Sequence, residues 1–390
     1  MENDLLYEQC APSEECGPHA YALLYPSGEL VIQAKANPDP TKQEPLAIWH
    51  GFEQRAFTEF DTAPWFGMRS KIRQVIVADR VRPVSLAWWF YGCDNLVFCD
   101  LGKLDASEAM SMAHLFDSCT SLESLCLNGM QAPCVKNICG MFNGCKSLKT
   151  VDLSGLDIPR VRRMNHLFEG CSSLVSINLS GVPTLWTNHM AHMFCGCSSL
   201  ATLDLSGFDT SRVQDMWGMF SGCSSLTSLD LSSFRTPSVK DMALMFEGCS
   251  SLTSLDLSFF DTSKVEVMRS MFAGCSALAK VDLTSFDTQG ATDLSSMFYG
   301  CKALESLDLS NFKTPNVTDM DAMFCGCSSL VSLKAPAFSA QSLVSTSHMF
   351  EGCSSLVSLD MPPIETEPQV YTKRMFEGCP SPLVASRPRR

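Results

Sequence analysis

A phenylalanine returns every 26 residues along most of this chain: Phe90, Phe116, Phe142, Phe168, Phe194, Phe220, Phe246, Phe272, Phe298, Phe324, Phe350 and Phe376. Three positions after each comes a cysteine, from Cys93 to Cys379, twelve in all. A period of this length, held without a slip, specifies a solenoid. Each unit is too small to bury its own apolar face and buries it only against its neighbours.

One unit, Cys223 to Cys249, gives the expected path of a coil. Leu226, Leu229 and Leu231 have the L-x-x-L-x-L spacing of a leucine-rich-repeat strand. Alternation along that strand turns Leu229 and Leu231 inward and Ser228 and Asp230 outward. Phe234, which recurs as Phe208, Phe260, Phe286, Phe312 and Phe338, packs inward after the strand. Thr236-Pro237 and Thr314-Pro315 read as helix starts, a hydroxyl N-cap followed by proline at the first helical position. Val239, Met242, Met245 and Phe246 share one face at helical spacing, predicting a short helix in each coil. A glycine before the column cysteine, replaced once by Ser118, then ends that helix in a left-handed conformation. The expected fold is an α/β solenoid. It is a leucine-rich-repeat-like, right-handed stack of coils with one parallel strand and one short helix per 26-residue repeat, plus a small β-containing N-terminal cap.

The chain divides accordingly. Residues 1–18 are acidic, carry Cys10 and Cys16, and read as a flexible arm. Residues 19–86 read as the N-terminal capping segment. It holds a hairpin, Tyr21–Tyr25 and Glu29–Gln33 about Pro26-Ser27-Gly28, the aromatics Trp49, Phe52, Phe57, Phe60, Trp65 and Phe66, and a strand at Ile72–Val77. Residues 87–379 form the solenoid and 380–390 a C-terminal tail. Only Leu383 and Val384 stand there to cover the last coil, so end-to-end self-association is an expectation to test.

Twelve of the 20 cysteines lie in the repeat column. Their side chains point the same way into the core, which fits a bridge poorly, so the column reads as reduced, buried thiols. A formal net charge of −13 argues against nucleic acid or an anionic membrane as partner. No apolar run is long enough to span a bilayer, and the start shows no secretory signal.

The repeated text Met-Phe-x-Gly-Cys-Ser-Ser-Leu-x-Ser-Leu-Asp-Leu-Ser-x-Phe-Asp-Thr-Ser, as in Met193–Ser211 and Met245–Ser263, resembles that of BspA-like leucine-rich-repeat surface proteins. The preceding segment is similar too, through Gly28–Ile32, Ala63-Pro-Trp65 and Ile72–Val77. The resemblance implies a non-enzymatic bacterial surface or adhesion protein that recognises a protein or glycan, displayed on the cell or secreted. With no signal or anchor legible, the cytoplasm is the alternative location. The asparagine ladder usual in leucine-rich repeats is replaced by the Phe234 column.

Outward strand positions are acidic in most coils: Asp100, Asp152, Asp204, Asp230, Asp256, Asp282, Asp308 and Asp360. A hydroxyl column including Ser228 and Ser254 runs beside them. The candidate binding residues are therefore Asp204, Asp230, Asp256, Asp282, Asp308, Ser228 and Ser254, with Trp186 and Trp217 as outward aromatics. The competing reading is a merely solvated sheet face. His189, His192 and Cys195, at i, i+3 and i+6, are candidate metal ligands, with His166 one coil away, against incidental surface histidines. No nucleophile elbow, phosphate loop or HExxH is present, so no catalytic residue, cofactor or enzymatic activity is assigned. The expected function is a protein-interaction solenoid. Its alternative is a structural protein that assembles by stacking through its C-terminal coil.

Overall fold

The computed structural model describes residues 20–127, 129–335, 342–360 and 370–380. The arm, the tail after residue 380, Phe338 and Leu383 therefore lie outside the described residues, as do Cys10 and Cys16.

The N-terminal cap is a sheet continuous with the first coils. Strands β1 (Tyr21–Leu24), β2 (Glu29–Gln33), β3 (Ala47–His50), β4 (Gln74–Val77), β5 (Phe98–Asp100) and β6 (Ser124–Cys126) are ordered β3-β1-β2-β4-β5-β6. The expected hairpin is β1–β2, antiparallel in the register Leu24↔Leu30. From β2 to β6 every pairing is parallel. Beneath this sheet Phe52, Phe57 and Trp65 close the end of the core, whereas Phe60 is exposed. Trp65 packs edge-on against Phe52 and Trp89 at 5.0 and 5.8 Å, and its indole Nε1 donates to the Trp89 carbonyl at 2.6 Å. An open coil would expose the Phe90 ring; instead Trp65 stacks on it at 6.1 Å.

Inside the solenoid the repeat residues are interior as expected. Phe90 to Phe376 form one stack of twelve rings, with adjacent centroids 5.3–5.8 Å apart. Phe208, Phe234, Phe260, Phe286 and Phe312 form a second buried column, and Leu229 and Leu231 point in. The column cysteines from Cys93 to Cys353 carry free thiols. Their thiols are satisfied without a bridge, each from Cys119 to Cys379 donating to the Phe carbonyl of the preceding coil at 3.0–3.2 Å.

The expected helix does not form. Among the described residues the one helical segment is a 3₁₀ turn at Phe66–Lys71. Between Met242 and Cys249 the amides alternate in direction. Met242, Leu244, Phe246 and Gly248 donate to Val267, Arg269, Met271 and Ala273 of the next coil at 2.7–3.0 Å. Met245, Glu247 and Cys249 close short turns onto Met242, Leu244 and Phe246. An α-helix would need all of these donors for its own carbonyls four residues back. Two left-handed residues per coil enforce the alternation. One is the expected glycine, such as Gly248 at φ 67. The other lies two residues before each column phenylalanine: Trp88, His114, Gly140, His166, His192, Gly218, Leu244, Ser270, Ser296, Ala322, His348 and Arg374. A left-handed non-glycine residue costs about 1–2 kcal/mol, offset here by the inter-coil bonds it sets up.

The threonines are not helix caps either. Thr236 Oγ1 donates to the Asp261 carbonyl and accepts the Asp261 amide, both at 2.8 Å, and Thr210, Thr262 and Thr288 do the same to the coil after them. They are cross-coil brackets, and for that reason they are buried.

The continuous ladder of the solenoid consequently lies on the turn side. Parallel bridges run unbroken from Ser111 to Tyr371. On the strand side, β7 (Thr150–Asp152) pairs with β8 (Ser176–Asn178), β9 (Ser254–Asp256) with β10 (Lys280–Asp282), and β12 (Ser332–Lys334) lies between β11 (Ser306–Asp308) and β13 (Ser358–Asp360) and pairs with both. Thr202–Asp204 and Ser228–Asp230 run through the middle without regular pairing.

Candidate functional site

The strand face shows the expected alternation. Asp204, Asp230, Asp256, Asp282 and Asp308 are exposed, as are Ser228 and Ser254, while the leucines between them face the core. Lys280 interrupts the hydroxyl column, and Lys334 interrupts the acidic one, pairing with Asp308 at 3.2 Å.

Each of these carboxylates has local work. Oδ1 of Asp204, Asp230, Asp256, Asp282 and Asp308 accepts the amide two residues on, from Ser206, Ser232, Ser258, Thr284 and Ser310, at 2.8–2.9 Å. Asn178 does the same with Ser180. This bond turns the chain at the end of the strand, and an aspartate or asparagine side chain suits it. The amide and hydroxyl of that neighbour hold all five carboxyls below the usual carboxylate range. The face is thus a row of fixed, ionised carboxylates, each keeping Oδ2 outside its own turn.

Trp186 and Trp217 are exposed but do not belong to that face. The Arg212 guanidinium lies over the Trp186 ring at 4.5 Å. Trp217 meets the His192 ring edge-on at 4.4 Å, on the ridge formed by the turn side.

On the same ridge the candidate metal ligands are only partly brought together. Without a helix, His189 does not share a face with the other two; it sits in the bridge ladder between Arg163 and Asp215. His192 and Cys195 do converge, and the third member is Glu169 of the preceding coil. One ligand atom from each lies within 4.8 Å of the others. Sequence reasoning overlooked Glu169, although the period itself places it in the Cys195 column, 26 residues earlier. His166 stacks on His192 at 5.2 Å and binds Glu169 Oε2 through Nδ1 at 2.5 Å. That hydrogen bond holds the Glu169 carboxyl below its usual range. Burial lowers the His192 pKa, favouring the neutral imidazole, and raises that of Cys195. No other group of three or more such side chains converges among the described residues.

The family described as Mycoplasma protein of unknown function, DUF285, matches residues 84–184, 178–280 and 276–382. The chain belongs to that family. No curated protein matches it. Among solved structures it is similar to a leucine-rich cell surface protein from Faecalibacterium prausnitzii, 17% identical, with a TM-score of 0.43 over 92% of this chain and 96% of that one. A leucine-rich-repeat protein from Eubacterium ventriosum is 16% identical, with a TM-score of 0.32 over 90% and 95%. The leucine-rich-repeat protein of T. pallidum is 18% identical, with a TM-score of 0.26 over 73% and 86%. No helix among the described residues of this family member is long and apolar enough to cross a membrane.

Proposed function

We propose that this chain is a non-enzymatic interaction scaffold of the BspA-like surface type, and that its strand face contacts a protein partner through a basic surface. The observation that carries this reading is the exposed row Asp204, Asp230, Asp256, Asp282 and Asp308, each carboxylate held ionised and oriented by its own turn. Pre-ordered side chains lose little freedom on binding, and a single-signed row steers an oppositely charged partner. The charge favours a basic protein over a neutral glycan. The repeat-phased Phe, Leu, Met and Cys side chains are consumed by packing and leave little material for a catalytic site. The surface setting is supported by the resemblance of the repeat to BspA-like proteins.

The test is titration of the full chain with a lysine-rich peptide and with a glutamate-rich peptide of equal length. The lysine-rich peptide is expected to bind, and to weaken as salt screens the carboxylates. Equal binding of both peptides, or none of the lysine-rich peptide at low salt, overturns the reading.

A further inference from the structure

We propose that Glu169, His192 and Cys195 form a binding site for a thiophilic divalent transition ion of the Zn²⁺ class on the turn-side ridge. The donor set is one carboxylate oxygen, one imidazole nitrogen and one thiolate sulfur. Zinc accepts all three, whereas magnesium and calcium select oxygen cages. Tetrahedral zinc with bonds of about 2.0–2.3 Å holds its ligand atoms roughly 3.3–3.8 Å apart. The three atoms already lie within 4.8 Å, so side-chain rotation of about 1 Å closes the site.

An independent observation points the same way. At this ridge position His114, His166 and His348 each use Nδ1 to bond a carboxylate three residues on, Asp117, Glu169 and Glu351. His192 has Cys195 in that place, and its Nδ1 is buried with no hydrogen-bond partner. A buried polar atom left unpaired costs free energy, and a metal ion bound by it removes that cost. The ring lies close over Gly218, where a Cβ would come within 2.9 Å of the same Nδ1. Trp217 walls one side at 4.4 Å. His166 orients Glu169 through its 2.5 Å bond, the arrangement by which outer partners fix metal ligands. Binding converts the Cys195 thiol to a metal-bound thiolate and releases its one proton to solvent; no electron changes hands. The fourth position is left to water or a further ligand.

The chain supplies its own control. Cys325 occupies the same ridge position and is also half-buried, but Ala322 stands in place of the histidine and Tyr299 in place of the glutamate. Cobalt(II) is the probe, added to the full-length chain under a non-thiol reductant. The expected result is one equivalent bound, with a thiolate-to-cobalt charge-transfer band that Zn²⁺ displaces. The band is lost in Cys195→Ser, cobalt affinity falls at least tenfold in His192→Gln, and Cys325→Ser leaves both unchanged. Equal melting of the metal-free variants shows that the fold is intact, and His192→Gln carries the test should Cys195→Ser fail to fold. A band that survives in Cys195→Ser, an affinity untouched by His192→Gln, or the absence of any thiolate band overturns the assignment.

Discussion

The thiol of Cys249 donates a hydrogen bond to the carbonyl oxygen of Phe220, one coil back, at 3.2 Å. The same carbonyl also accepts the Cys223 amide at 3.1 Å, so a single oxygen ties a turn and joins two coils. This relationship explains why a small residue with a donor fills the column. Alanine leaves the carbonyl one bond short and a small void; Cys249→Ala is expected to cost about 1–2 kcal/mol, seen as a lower melting temperature. Cys325→Ala, on the ridge, should change it far less.

The same burial predicts a pH dependence. Desolvation pushes the Cys249 pKa up to about 12, from an ordinary value of 9.0. A folded pKa raised above the unfolded one means the unfolded chain loses protons first. The contribution to stability is therefore whole below about pH 9 and disappears as pH climbs toward 12. Melting temperatures recorded between pH 8 and pH 11 should fall steadily above pH 9. At pH 8 the column thiols should resist iodoacetamide until the protein unfolds.

The threonine brackets make a sharper case. Thr236→Ser keeps both bonds to Asp261 and should be nearly neutral. Thr236→Val keeps the shape but leaves a buried amide and carbonyl unpaired, at an expected cost of about 1–3 kcal/mol, read from thermal melting.

The left-handed positions test why the helix is absent. Ser270 has φ 54, where glycine is at ease and a β-branched residue is not. Ser270→Gly is expected to hold or raise stability by up to about 1 kcal/mol, and Ser270→Val to lower it by more than that. A helical coil would give the reverse order for glycine, since glycine weakens a helix interior.

Much of this fold is legible in the text of the repeat. The 26-residue period fixes the coil, and the alternation of Leu229 and Leu231 with Ser228 and Asp230 fixes the strand faces. The helix is misread because Val239, Met242, Met245 and Phe246 do share an inner face, and inward spacing alone does not say where the amides go. The left-handed residue before each phenylalanine carries no signature, being His, Leu, Ser, Ala, Arg or Trp except at Gly140 and Gly218. Thr236-Pro237 matches a helix cap in letters, but its hydroxyl partner lies 25 residues away in Asp261. At the ridge, His192 and Cys195 are visible as a pair, whereas Glu169 joins them only once consecutive coils are stacked.

The most direct test of the central claim, that the interior is frame and the acidic strand column is the contact, neutralises that column without disturbing its turns. Asn178 already makes the turn bond with an amide side chain, so Asp230→Asn, Asp256→Asn and Asp282→Asn together should keep the fold, with a melting temperature close to the parent's. A matched variant, Asp209→Asn with Asp261→Asn and Asp287→Asn, removes the same charge from a neighbouring column whose carboxylates cap turns in the same way. Affinity for the lysine-rich peptide is predicted to fall at least tenfold in the first variant and to stay within a few-fold of the parent in the second. Equal losses in the two variants, or none in the first, would contradict the account.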